Sequence, residues 1–177
     1  MSAGTPLLRA GRTVFWWLAG GLAGLVLGTL PRLPVVVASH FDAAGAPNGW
    51  SSRHGYVLLV LMIGIALPSA VIGLVHAQTT RGAAGLNIPA RAYWMDPSRQ
   101  GQVVELVRSY IWWLGVLLTG IALALHLAVL DANAMSPPHL RSGAIVPLLV
   151  AAVAGIGAWA VGWYRVLRPP GGNRAAA

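Results

Sequence analysis

The sequence predicts an all-α integral membrane protein: a four-transmembrane-helix bundle with an ordered extracytoplasmic loop between helices 1 and 2. Three observations lead there. Hydrophobic residues fill 56% of the 177 positions and charged residues only 9%, with a mean hydropathy of +0.68, whereas soluble domains carry about 25% charged residues. So few polar side chains cannot solvate the exterior of a water-borne domain, and lipid is the better solvent. Four apolar segments recur, each close to the roughly 20 residues a helix needs to cross about 30 Å of hydrocarbon. Basic residues fall between and beyond these segments, with only Arg165 inside the last few positions of one, and acidic residues are absent from them.

The segments are 13–30, 56–76, 109–130 and 144–167, and together they make residues 1–177 a single membrane domain, with 168–177 as a flexible C-terminal tail. The first segment superficially resembles a signal peptide, since Arg9 and Arg12 precede it and Val36-Val37-Ala38 loosely fits a cleavage site. Its apolar run is longer than a usual signal core, and Pro31-Arg32-Leu33-Pro34 separates it from that site, so we read it as a retained helix. Gly20, Gly24 and Gly28 repeat every fourth residue along it and form a smooth face suited to close helix packing; we favour contact within one bundle over homodimerisation. Ala154, Ala158 and Gly162 repeat the pattern in the fourth helix. Pro68 and Pro147 lie inside helices two and four, where a missing N–H kinks or distorts the helix.

All twelve basic residues are arginine, and the net charge is +8. Nucleic-acid binding would need them gathered on one patch with stacking aromatics, so no nucleic-acid partner is expected. Nine of the twelve fall at the N-terminus, in the second loop or at the C-terminus, and only Arg32, Arg53 and Arg141 fall in the first and third loops. That bias places both termini and the second loop of a multipass protein in the cytoplasm, with the first and third loops outside. Trp16, Trp17, Trp112, Trp113, Trp159, Trp163 and Tyr164 then cluster at the cytoplasmic interface, the depth that indole rings prefer.

The first loop holds Val35-Val36-Val37, which favours an extended segment, then Gly45 and Asn48-Gly49, which supply turn positions, then Trp50 as an apolar anchor. A small ordered cap on the outer face is expected. His40, Asp42 and His54 form the one cluster resembling a metal or acid-base site, but a catalytic zinc wants three protein ligands in fixed geometry. Turn-capping by Asp42 and Asn48 is the favoured reading, and no metal or cofactor is expected. In the second loop Asp96 reads as a helix N-cap with Pro97 at the first helical position, and an amphipathic run from Ser98 feeds helix three. Tyr93 and Trp94 read as dipping into the interface, and with Arg91 and Arg99 they form a candidate cytoplasmic contact for a partner or anionic lipid.

Catalytic signals are missing. Cysteine is absent, which removes disulfides and thiolate chemistry. There is no phosphate-cradling glycine loop, nucleophile elbow or zinc-protease motif. No carboxylate lies in a spanning segment, which disfavours a proton-coupled pump; His76 and His126 fall near predicted boundaries. We therefore assign no catalytic residue and expect no enzyme.

Leu33-Pro34, His40-Phe41-Asp42, Gly45 and Pro47-Asn48-Gly49-Trp50-Ser51-Ser52-Arg53 resemble the signature of the bacterial membrane family called domain of unknown function 1648. Asn87-Ile88-Pro89-Ala90-Arg91-Ala92-Tyr93-Trp94 and Asp96-Pro97-Ser98-Arg99 are similar to a second block of four-helix members. Family members often carry Asn at the position of Asp42, Asp at that of Asn48 and Lys at that of Arg53. The better-known relatives are SdpI-type immunity and signalling proteins, longer chains that protect a bacterium from a secreted toxin. The resemblance implies a binding, sensing or immunity role, with His40, Phe41, Asp42, Asn48 and Trp50 as ligand-binding residues for a peptide or envelope ligand. The alternative is an accessory structural subunit of a larger membrane complex. An enzyme or transporter built on His40, Asp42 and His54 ranks last.

Overall fold

The structure is a computed structural model and describes residues 6–169. Helix α1 (Pro6–Thr29) runs into a short 3-10 turn (Leu30–Arg32) and then a two-stranded antiparallel hairpin, β1 (Val36–Phe41) and β2 (Pro47–Ser52). Helix α2 (Arg53–Thr79) leaves the hairpin directly. A loop with one short helix, α3 (Arg91–Trp94), leads to α4 (Gln100–Asn133), and α5 (Ser142–Val166) closes the order. Four of these helices are long and apolar enough to cross a membrane, the architecture of a multipass membrane protein. The expected ordered first loop is the hairpin, which makes a two-stranded sheet between helices 1 and 2 the one sheet among the described residues.

The third span is longer than expected. The amphipathic run after Ser98 fuses with the apolar segment without a break, giving 34 residues, or about 51 Å at 1.5 Å per residue. Since hydrocarbon accounts for about 30 Å, α4 is longer than the apolar layer it has to cross. Helix α4 is the hub, and α1, α2 and α5 all pack on it. Phe15, Ala19, Leu22 and Val26 of α1 are buried and point at α2 and α4. No described residue of α5 is buried, so this helix lies on the outside of a three-helix core.

Pro68 distorts α2 as its chemistry demands. It has no N–H to donate to the carbonyl four residues earlier, that of Gly64, and the helix widens to a π turn over Met62–Ala66. The freed carbonyl accepts a hydrogen bond from Thr119 Oγ of α4 at 2.7 Å, in a fully buried position. Gly64 also allows the helices to close up, since a Cβ there would stand 2.6 Å from Leu22 and 2.9 Å from Ala122. Pro147 has no comparable effect, and α5 runs through it as one helix.

The glycine row of α1 points the other way. A Cβ on Gly20, Gly24 or Gly28 would meet nothing within 4 Å, and all three positions are exposed. The expectation that this row packs inside the bundle is therefore corrected: the core face of α1 is the Phe15, Ala19, Leu22, Val26 row, on the opposite side of the helix. Besides Gly64 against Leu22, Gly11 and Gly115 permit close approach between α1 and α4, against Trp112 and Phe15 respectively. In the fourth helix only Gly162 of the small-residue row lies tight against a neighbour, the Tyr110 hydroxyl; Ala154 and Ala158 are exposed. The tail expected at 168–177 falls outside the described residues from 170 onward.

Candidate functional site

The hairpin closes through backbone geometry. Val36 pairs with Ser52, Val37 with Ser51, Ala38 with Trp50, His40 with Gly49 and Phe41 with Pro47, with irregularities between Ala38 and Phe41 that leave Ser39 out of register. Asp42 organises the tip: its Oδ1 accepts hydrogen bonds from the Ala44 and Ala46 amides, both at 2.9 Å, and its carbonyl accepts one from Gly45. This is the turn-capping role that short acidic side chains fill. Gly45 takes a positive φ of 86°, and its carbonyl receives the Leu140 amide at 2.8 Å. A Cβ at Gly45 would run into the Leu140 carbonyl oxygen, so the tip and the third loop are seated against each other.

A second clamp holds the strand to the bundle. Asn133, the last residue of α4, turns its side-chain amide toward β1, accepting from the Ala38 N–H and donating to the Ala38 carbonyl, both at 2.9 Å. The same NH2 group donates to Val129. The amide thus completes one rung of a third strand on the free edge of β1. Ser52 Oγ caps α2 by accepting from the Gly55 amide, and the Arg53 amide donates to the Val35 carbonyl at 3.0 Å, tying the hairpin's exit to its entrance.

Directly beneath, at the ends of the three core helices, lies a buried polar relay that the sequence reading passed over. His126 of α4 is only 1% exposed, with Nε2 3.0 Å from Thr29 Oγ and Nδ1 3.0 Å from the Tyr56 hydroxyl. Thr29 spends its hydroxyl proton on the Leu25 carbonyl at 2.7 Å, so it accepts from His126 Nε2–H. A neutral imidazole has one N–H, which leaves Nδ1 to accept from Tyr56 O–H. Every member is satisfied, and the three residues bind the end of α1, the start of α2 and the body of α4 into one unit. The signal that could have found it was polar Thr and His in lipid-spanning segments, which have to find partners inside the bundle.

The expected ligand-binding residues divide once placed. Asp42 is committed to the turn, and Phe41 is half-buried against Pro47 at the hairpin's end. His40, Asn48 and Trp50 are exposed on the hairpin, Trp50 at 53%; none of them holds the fold together by a side-chain hydrogen bond to a distant element. His40 bonds only its neighbour Ser39, at 3.2 Å. His54 sits in the first turn of α2, also exposed. Among the described residues, no three His, Cys, Asp or Glu side chains gather closely enough to hold a metal ion.

The second loop uses its side chains on itself. Arg91 donates to the Leu86 and Ala84 carbonyls, both at 2.7 Å. Arg99 lies over the Tyr93 ring at 4.3 Å, donates to the Tyr93 carbonyl and pairs with Asp96 at 3.4 Å. Trp94 is 3% exposed, and its indole donates to the Leu167 carbonyl at 2.8 Å, capping the end of α5. It does not dip into the lipid interface, and it is not open to a partner. Asp96 heads the turn before α4, its carboxylate accepting from Ser98 Oγ and Ser98 N–H, while α4 itself starts at Gln100 behind Arg99. The Ser98 hydroxyl, then its amide and the Arg99 charge, hold the Asp96 carboxyl below its ordinary range.

The Trp94 to Leu167 bond and the packing of Gly11 on Trp112 put the start of α1, the second loop and the end of α5 at one end of the bundle, opposite the hairpin. A family model described as a domain of unknown function (DUF1648) matches residues 17–64. The match runs from Trp17 of α1 through the hairpin to Gly64 in the π turn of α2, so the second block, from Asn87 to Arg99, lies outside it. No curated protein and no solved structure matches the chain.

Proposed function

We propose that the protein is a non-catalytic binding and sensing protein of the bacterial cytoplasmic membrane, of the SdpI-like immunity kind, with the hairpin as its receptor surface. One observation carries this reading. The hairpin is held to the end of α4 by Asn133 and to the third loop by Leu140, and the Arg53 amide ties its exit to its entrance, yet His40, Asn48 and Trp50 remain exposed on it. Exposed aromatic and polar side chains on a rigid support are what recognition of a peptide requires, because few rotamers and little backbone have to be ordered on binding.

Nine of the twelve arginines belong to the termini or to the second loop, which supports an arrangement with the hairpin outside and both termini in the cytoplasm. A reporter active only outside the cell, inserted at the hairpin tip, is expected to work there and to fail at either terminus. For the receptor role, loss of the gene is expected to sensitise cells to a secreted peptide toxin, and Trp50→Ala to reproduce the loss at unchanged protein level. A photo-crosslinking residue at position 50 should capture the same peptide. Unchanged sensitivity together with no adduct at position 50 would remove the proposal.

A second reading has its own support. The Gly20, Gly24, Gly28 row faces away from the core, and α5 has most of its surface uncovered, as suits an accessory subunit seated against a larger membrane complex. Extraction in mild detergent distinguishes the two, since a subunit would leave the membrane with its complex.

A further inference from the structure

Two cavities follow α4 along one seam, the first between α1 and α4 and the second where α5 also closes on them. The first, of about 460 Å³, opens at the arginine-rich end and is lined by Arg12 and Thr13 of α1 and by Glu105, Arg108, Ser109 and Trp112 of α4. The second, of about 360 Å³, lies deeper and is apolar, formed by Leu18, Val116, Gly120, Leu148 and Ala151 among others. Ser109, Val116 and Gly120 follow one another at helical spacing on one side of α4. Ser109 and Gly120 are about 16 Å apart along the axis at 1.5 Å per residue, close to the half-thickness of a 30 Å hydrocarbon core.

We propose that this seam is a binding site for a single anionic glycerophospholipid, its phosphate between Arg12 and Arg108 and one acyl chain in the groove beside Gly120. The depth fits. Arg108 donates to Thr79 Oγ and to the His76 carbonyl at the end of α2, so its guanidinium stands where helices leave the hydrocarbon. Those two bonds use two of its five N–H groups and leave the others for a ligand. Arg12 has no hydrogen-bond or ion-pair partner among the described residues. The Thr13 and Ser109 hydroxyls supply further donors, and Trp112 provides the interfacial wall. Glu105, which has interactions of its own, offers an acceptor to head-group hydroxyls. A carboxylate beside two guanidiniums leaves the cleft net positive, the charge balance that basic pockets between spanning helices use to hold acidic head groups. The apolar groove below selects a lipid over a free anion, because only a molecule with both parts fills both cavities. This site is separate from the hairpin and does not depend on the receptor reading.

The test is native mass spectrometry of the full chain in mild detergent, offered equal amounts of dioleoyl phosphatidylglycerol and dioleoyl phosphatidylcholine. One phosphatidylglycerol is expected to stay bound in clear preference. Arg12→Gln should weaken that retention about fivefold, the scale of one arginine near a charged membrane surface. Gly120→Phe should also lower it, because Gly120 borders open space, with Leu18 nearest at 3.9 Å. Arg108 is left intact since it ties α2 to α4. Equal retention of the two lipids, wild-type retention by both variants, or displacement of the lipid by soluble glycerol phosphate would each overturn the site.

Discussion

The two long loops make opposite use of their residues. In the first, the chain shape is set by backbone pairing, one aspartate and clamps from elsewhere, and the aromatic and imidazole side chains are left over. In the second, the arginines and the tryptophan that look most like a docking surface are the ones that build the loop. The difference teaches that a chemically rich residue is available for function only if the local backbone has already been satisfied by something else. The hairpin satisfies its amides through a partner strand. The second loop has no partner strand, and its carbonyls at Ala84, Leu86 and Tyr93 turn to guanidinium donors instead.

Breaking each loop at its anchor sharpens that contrast. Trp94→Ala removes a buried ring and strands the Leu167 carbonyl, and should destabilise by about 3–5 kcal/mol, the usual range for a buried aromatic; detergent-phase thermal unfolding would show it, with α5 loosening first. Gly45→Val combines a strained φ with a collision at the Leu140 carbonyl, and should cost about 2–3 kcal/mol, read as a lower melting temperature and faster proteolysis of the first loop. Asn133→Leu leaves the Ala38 amide and carbonyl without their rung and should cost about 1–3 kcal/mol; hydrogen exchange at Ala38 should rise while α2 and α4 stay protected.

Smaller effects complete the series. Asp96 titrates below its ordinary range because Ser98 and Arg99 favour its charged form. Its contribution to loop order is therefore complete at neutral pH and is lost as acid takes the solution down through that lowered pKa. Asp96→Asn should flatten this acid dependence in the second loop, visible in the amide shifts of Ser98. Trp50→Ala should change stability by less than about 0.5 kcal/mol, as surface substitutions do. A large drop in melting temperature for Trp50→Ala would place the tryptophan among the structural residues and erase the contrast between the loops.

The spans were legible because a run of some 20 apolar residues speaks through length alone. The distortion at Pro68 was legible too, since it follows from one missing donor. Its repair by Thr119 was not, because the partner lies 55 positions away, and the pairings of Thr29 with His126 and of Asn133 with Ala38 span still greater separations. The direction of the glycine row was hidden for a different reason. In water, the polar face of a helix announces which side is outward, whereas lipid and protein core are equally apolar, so Gly20 and Gly64 look alike until packing is seen. In the hairpin, Val36–Phe41 and the turn at Asp42 could be read from propensity, but the choice of Trp50 as exposed and Trp94 as buried depended on which of them met a distant carbonyl.

The π turn of Met62–Ala66 has a consequence for how α2 joins its two ends. A widened turn holds one residue more than the α-helical path needs, and one residue corresponds to about 100° of azimuth. The half of α2 that carries Tyr56 and the hairpin is thus offset in phase from the half that carries Ile72 and Arg108's acceptor Thr79. Excising a single residue there would restore an unbroken spiral and swing the hairpin out of register with Asn133. Pro68 therefore works as a timing mark, holding the two ends of the rod at the angle each needs to meet α4.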